Sequence, residues 1–146
     1  MNENSSWLIV ETYPNWEVDR KNNFTYFGLT GRFEKLAKQI KPGDFLFTYV
    51  TGESCFSDVR KLTKPGPRPL KMGGDYDKAL PICIDTAPVL VLERHKWIPI
   101  STLHDRLSLT AGKKYWSSYF RGALRLLGTR DAAILREKLF SQPSGP

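Results

Sequence analysis

Apolar and aromatic residues are most densely ordered over residues 45–51. There Phe45, Phe47 and Tyr49 fall on one face of an extended chain and Leu46, Thr48 and Val50 on the other. Both faces are largely apolar, so the stretch is predicted to be a strand covered on both sides, at the centre of a sheet. Pro42-Gly43-Asp44 feeds it with turn chemistry, because proline presets φ and glycine admits positive φ at low cost. Ahead of the turn, residues 7–13 (Trp-Leu-Ile-Val-Glu-Thr-Tyr) read as a first strand closed by Pro14-Asn15, and residues 16–23 are polar enough for a short helix or loop. Residues 24–30 carry aromatic and β-branched side chains into a glycine and a threonine, a short strand ending at a helix cap. Phe33, Leu36, Ala37 and Ile40 then recur at helical spacing, which predicts an amphipathic helix over 31–39.

Beyond the central strand, residues 55–63 look like another strand, with Arg60 and Lys61 near its end. Residues 64–74 change character. Rich in proline and glycine, with Lys64, Arg68 and Lys71 as the only charges, they cannot extend a helix or a central strand and read as a long basic loop. Such loops are either binding surfaces or solvated crossovers, and composition leaves both open. Residues 80–92 return to dense apolar content as one bent strand or two, with Pro88 at an edge or bulge. A short helix capped by Ser101 is expected over 99–107. A second, capped by Ser117 or Ser118, would bury Phe120, Ala123, Leu124 and Leu127 and stop at Gly128. The last helix starts at Thr129 and Asp131 and turns Ile134, Leu135 and Leu139 inward.

Composition bounds the picture. A chain of 146 residues that is 40% hydrophobic and 12% aromatic is long enough for one domain with a real core. We place that domain at 7–140, between a disordered 1–6 and a flexible tail or linker at 141–146. The net charge of +7 favours polyanionic partners. Cys55 and Cys83 stand in apolar, strand-like runs and read as reduced, buried thiols, too few for a disulfide framework or a zinc site. Neither an export signal nor a membrane-spanning run is present, which points to a cytoplasmic protein with no membrane partner. His95 and His104 have no companions at metal-ligand spacing, and Gly28 and Gly31 lack the remainder of any phosphate-binding fingerprint. With no nucleophile elbow and no paired carboxylates beside a histidine, we expect a non-enzyme without metal or cofactor.

What remains is basic charge interleaved with aromatics. Rings stack on bases while Lys and Arg neutralise phosphates, so this composition suits nucleic-acid binding. The densest case is residues 113–121, where Phe120 is read as core and Trp116, Lys113, Lys114 and Arg121 as binding residues.

The order of Trp7-Leu-Ile, Asn15-Trp16, Tyr26-Phe-Gly-Leu-Thr30, the stretch from Lys41-Pro-Gly-Asp44 to Tyr49, and Lys113-Lys-Tyr-Trp-Ser117 followed by Arg121-Gly122 resembles the EVE domain family. That family is PUA-like and related to the YTH readers of methylated RNA, and the similarity runs from about residue 7 to 127. It implies an α+β fold, a strongly bent mixed β-sheet or pseudo-barrel surrounded by short helices. It also implies a pocket for one flipped base, a methylated or hydroxymethylated cytosine or a methylated adenine. Carried over by position, Phe27 would stack on the base and Gly28 and Leu29 would bond its edge. Thr12, Tyr13, Trp16, Tyr26, Thr30, Tyr49, Thr51 and Trp116 would line the same pocket, with Arg32, Lys64, Arg68, Lys71, Lys113, Lys114 and Arg121 on the phosphates. Phe27 stands where the family often has tryptophan, and Tyr49-Val50-Thr51 where tyrosine, histidine and serine are usual. Some members are specificity modules of modification-dependent restriction systems, which would make an effector nuclease or NTPase a partner beside modified DNA or RNA. Two other classes stay open: a PUA-like RNA-binding module that needs no modified base, and a small-metabolite binder or enzyme using the same pocket.

Overall fold

The computed structural model describes residues 4–71, 80–103, 105–108 and 124–141. Strands β1 (Ser6–Thr12) and β3 (Phe45–Thr51) run parallel, Ser6 opposite Phe45 through Thr12 opposite Thr51. A parallel pair needs a crossover. Residues 13–44 supply it as helix α1 (Tyr13–Lys21), strand β2 (Tyr26–Leu29), a 3-10 turn (Gly31–Phe33) and the single-turn helix α2 (Glu34–Ala37). Strands β4 (Cys55–Leu62), β5 (Arg68–Pro69), β6 (Ile82–Val91), β7 (Ile98–Pro99) and β8 (Leu124–Leu126) follow, and helix α3 (Thr129–Phe140) closes the described chain. Among the described residues the main path of the sheet is β2-β6-β4-β3-β1-β8, with β5 attached to β6 and β7 to β4. It curls into a half-barrel with a few short helices against it. No described helix is long and apolar enough to cross a membrane.

The expected central strand is central, and the sheet separates two cores. Leu8, Val10, Phe47 and Tyr49 pack with Trp16, Trp97 and, from α3, Leu135 and Leu139. On the other face Trp7, Ile9 and Leu46 pack with Phe27 and Leu29 of β2, Ala37 of α2, Leu62 and Ile84. The turn before β3 is fixed in two ways. Gly43 takes φ +93°, which a side chain would strain. The buried Asp44 carboxylate accepts from the Ser5 N–H (2.9 Å), the Lys41 N–H (2.9 Å) and Trp7 Nε1 (3.0 Å), tying the start of β1 to the turn.

Several expectations are corrected. β1 starts at Ser6 and ends at Thr12, and Tyr13 opens a helix, because Pro14 fits a first helical turn where its missing N–H is not needed. The helix expected over 31–39 is a 3-10 turn and one α turn, yet Ala37 and Ile40 are buried as its spacing required. Arg68 and Pro69, assigned to loop, pair with Cys83 and Ile82 as an edge strand, where a proline costs no ladder bond. Residues 80–92 give one bent strand: its first half pairs with β2, its second with β4, and the register shifts beside Pro88. Ser101 lies inside a 3-10 turn (Ile100–Thr102) and caps nothing. Leu124 belongs to β8 and not to a helix, because the free edge of β1 takes it as an antiparallel partner, Ile9 opposite Leu124. The Ser117 or Ser118 cap, Phe120 and Ala123 lie outside the described residues.

Candidate functional site

Charge sits inside the sheet. On β4, Asp58 and Arg60 point to the face that carries Leu46 and Leu62, and Arg60 is fully buried. Its Nε donates to Asp58 Oδ1, Nη1 to Asp19 Oδ2 and Nη2 to Glu11 Oε2, each at 2.8 Å. Its guanidinium lies 4.8 Å from the Phe24 ring centre and 5.8 Å from that of Phe27. Asp58 also accepts from the Thr48 hydroxyl (2.6 Å), the Ser57 hydroxyl (2.8 Å) and Trp16 Nε1 (2.9 Å).

Three carboxyls thus face one cation. Burial pushes Glu11 well above the usual carboxylate range and raises Asp19 as well, against the pull of Arg60. The closeness of the two carboxyls raises Glu11 further and works against the rise of Asp19. Asp19 Oδ1 is buried and receives no hydrogen bond. Burial opposes the Arg60 charge, but Asp58, Glu11 and Asp19 hold the guanidinium firmly protonated.

The surface next to this cluster is aromatic. Thr12 caps α1 by accepting the Asn15 N–H at 3.4 Å. The helix then sets Tyr13 and Trp16 on one side, their rings stacked 5.9 Å apart at 18°. Trp97, just past a 3-10 turn (Arg94–Lys96), meets Trp16 edge-on at 4.9 Å and Tyr13 at 6.1 Å. Over them lies Arg94, its guanidinium 4.3 Å from the Trp97 ring centre and 5.5 Å from that of Tyr13, ion-paired to Glu53. A groove of about 340 Å³ opens between α1 and residues 91–94, lined by Tyr13, Trp16, Glu17, Arg20, Val91, Leu92, Glu93 and Arg94. Glu17 is held below the usual carboxylate range by its bonds to Arg20 (2.8 Å) and the Tyr13 hydroxyl, and the bond to Glu17 raises the Tyr13 phenol. A larger cleft of about 750 Å³ between Asn4–Ser6, residues 126–129 and α3 has no aromatic side chain among its described lining.

Of the residues expected to hold a base, the structure brings Tyr13 and Trp16 together in this groove, with Thr12 and Thr51 paired and exposed at the neighbouring strand ends. The others lie deeper. Phe27 is 2% exposed, packed among Trp7, Ile9 and Ile84, and Arg60 lies against its ring, so it presents no open face for stacking. An inward phenylalanine on a curled sheet gains about 2–3 kcal/mol by such burial. Gly28 and Leu29 lie opposite Cys83 and Ile82 in β2, which ends the described path of the sheet. Tyr49 is 2% exposed and meets Phe56 edge-on. Tyr26 is half-buried and its hydroxyl accepts from Asn22 Nδ2 (2.7 Å), while the Thr30 hydroxyl is buried without a hydrogen bond.

Among the expected phosphate ligands, Lys64 and Lys71 are exposed, Arg32 lies over Phe33 (5.0 Å) and Arg68 grips Asp85 through its Nε and Nη2. Lys113, Lys114, Trp116 and Arg121 lie outside the described residues. Sequence reasoning missed Arg94, Trp97, Glu17 and Arg20. The cluster Arg94-His-Lys-Trp97 was a signal, a basic tripeptide ending on an aromatic. Both cysteines are free thiols, raised in pKa chiefly by burial.

A curled mixed half-barrel with short helices against it is the PUA-like fold of EVE and YTH domains. Solved structures that share it include human THYN1 in complex with 5-methylcytosine-containing DNA, 13% identical, with 95% of this chain and 99% of that chain covered and a TM-score of 0.62. They also include the YTH domain of Zygosaccharomyces rouxii MRB1 in complex with N6-methyladenosine RNA, 12% identical, covering 100% and 91%, with a TM-score of 0.65. By sequence the chain is similar to a UPF0310 protein of Pyrococcus abyssi, 26% identical over 147 residues that cover 92% of this chain and 99% of that protein. No protein-family model matches.

Proposed function

We propose that the protein is a nucleic-acid-binding reader that takes one flipped, modified base, a methylated or hydroxymethylated cytosine or a methylated adenine, into the groove beside Tyr13. The observation that carries this reading is the groove itself, an open recess walled by the partly exposed Tyr13, with the buried Trp16 behind it and Arg20 and Arg94 at its rim. Stacking on such rings stabilises a base by about 1–3 kcal/mol, comparable to the few kcal/mol that extrusion costs. The net charge of +7 adds phosphate attraction, which does not depend on sequence. The modified DNA and RNA held by two proteins of the same fold support the choice of ligand. The reading is recognition without turnover.

Fluorescence anisotropy with short DNA and RNA strands, unmodified or carrying one modified base, at two salt concentrations, tests it. Selective binding to one modified strand, reduced about tenfold or more by Tyr13→Ala at unchanged melting temperature, is the expected result. Equal and steeply salt-dependent binding to every strand would reduce the protein to generic backbone attraction.

A further inference from the structure

A planar cation lines the groove. The Arg94 guanidinium carbon lies 4.3 Å from the Trp97 ring centre and 5.5 Å from that of Tyr13, and both rings belong to the aromatic cluster built on Trp16. Aromatic faces attract delocalised positive charge because their quadrupole is negative above the ring. The surrounding charges favour the same occupant. Glu17 and Glu93 line the recess and Glu53 holds Arg94, so with Arg94 turned outward three carboxylates would stand against the Arg20 guanidinium on Glu17 and the His95 imidazole 3.5 Å from Glu93. Nothing anchors Arg94 deeply: its side chain is 50% exposed and its partner Glu53 is 37% exposed, so solvent weakens their attraction. A neutral base entering the recess would displace Arg94 and replace only the stacking. A positively charged base would also replace the charge.

We propose that this groove is a receptor for a nucleobase carrying a delocalised positive charge, such as cytosine methylated at N3 or adenine methylated at N1, and that the Arg94 guanidinium is the resident stand-in which such a base displaces. The inference rests on the nucleic-acid reading above and selects among its modified bases. Methylation at these ring nitrogens charges the base at neutral pH. Methylation of cytosine at C5 or of adenine at N6 adds the same atoms and leaves it neutral. The discriminating feature is therefore charge, not size.

The isomers supply the test. Anisotropy titrations of the full chain compare single strands containing 3-methylcytosine, 5-methylcytosine, 1-methyladenine, N6-methyladenine or no modification, and a peptide bearing dimethylarginine. The charged isomers are expected to bind about tenfold tighter than their neutral counterparts. Arg94→Ala, which removes an exposed side chain, should tighten the charged strands about threefold, and Tyr13→Leu should abolish the preference. Equal or tighter binding of the neutral isomers overturns the inference and leaves the reader standing. Indifference to every modification overturns both. Preference for the peptide alone overturns the nucleobase in favour of a protein ligand. If Arg94→Ala weakens all strands alike, Arg94 is a phosphate contact and the stand-in role fails.

Discussion

Arg60→Met isolates the energetics of the buried cluster. Methionine fills much of the volume of the arginine stem, so the substitution removes mainly the guanidinium and leaves Glu11, Asp19 and Asp58 facing one another. Removing one partner of a buried ion pair costs about 3–5 kcal/mol. Two features of this site act in opposite directions. Three carboxyls lose a single cation, which raises the cost. Asp58 keeps its Trp16, Thr48 and Ser57 donors and burial already shifts Glu11 toward its neutral form, which lowers it.

We therefore expect a loss of about 4 kcal/mol at pH 7, out of a stability of roughly 5–15 kcal/mol, and a melting temperature lower by about 10–15 °C. Thermal unfolding followed by circular dichroism measures it. Because burial already raises Glu11 and Asp19, their protonation should shrink the deficit as pH falls, and adding Asp19→Asn to Arg60→Met should recover part of it. A single variant within about 1 kcal/mol of the wild type at pH 7, or a double variant less stable than the single one, would refute the claim that orphaned carboxylates cause the loss.

Other expectations follow from the same contacts. Because Glu11 holds its proton in the folded chain to a higher pH than in the unfolded chain, its contribution is complete at acid pH. It declines as pH rises from the ordinary carboxylate range through the raised folded value, by up to about 1.4 kcal/mol per pH unit. Denaturant melts across that window should show the slope, and Glu11→Gln, whose amide cannot ionise, should flatten it. Asp44→Ala strands the Ser5 and Lys41 N–H groups and the Trp7 indole, and should cost about 2–4 kcal/mol in a urea melt. A loss under about 0.5 kcal/mol would mean that water replaces the carboxylate.

The elements that the sequence predicted well are those whose side chains obey a single period. Residues 45–51 alternate cleanly and form β3, and the stripe at Leu135 and Leu139 forms the inward face of α3. The failures have physical causes. Leu124 and Leu127 fit a helical stripe equally well, and only the open edge of β1 decides that Leu124 is in a strand. Asp58 and Arg60 look like solvent-facing charges at a strand end, yet their two-residue spacing puts both on the face that carries Leu62. Glu11 and Asp19, the groups that make such burial tolerable, are 49 and 41 residues away in sequence. The aromatic cluster was legible where it depends on one element, Tyr13 and Trp16 on α1, and illegible where Arg94 and Trp97 join it from another. Phe27 marked a strand, but position along the chain does not reveal that an arginine lies against its ring.

Trp16 belongs to both halves of the molecule at once: its indole N–H is committed to Asp58 while its ring forms the floor on which Tyr13 and Trp97 rest. The recess and the charged interior consequently cannot drift apart over evolutionary time. A lineage that replaces Asp58 strands the Trp16 indole N–H and with it disturbs the floor of the recess, so changes at residues 16 and 58 should be inherited together.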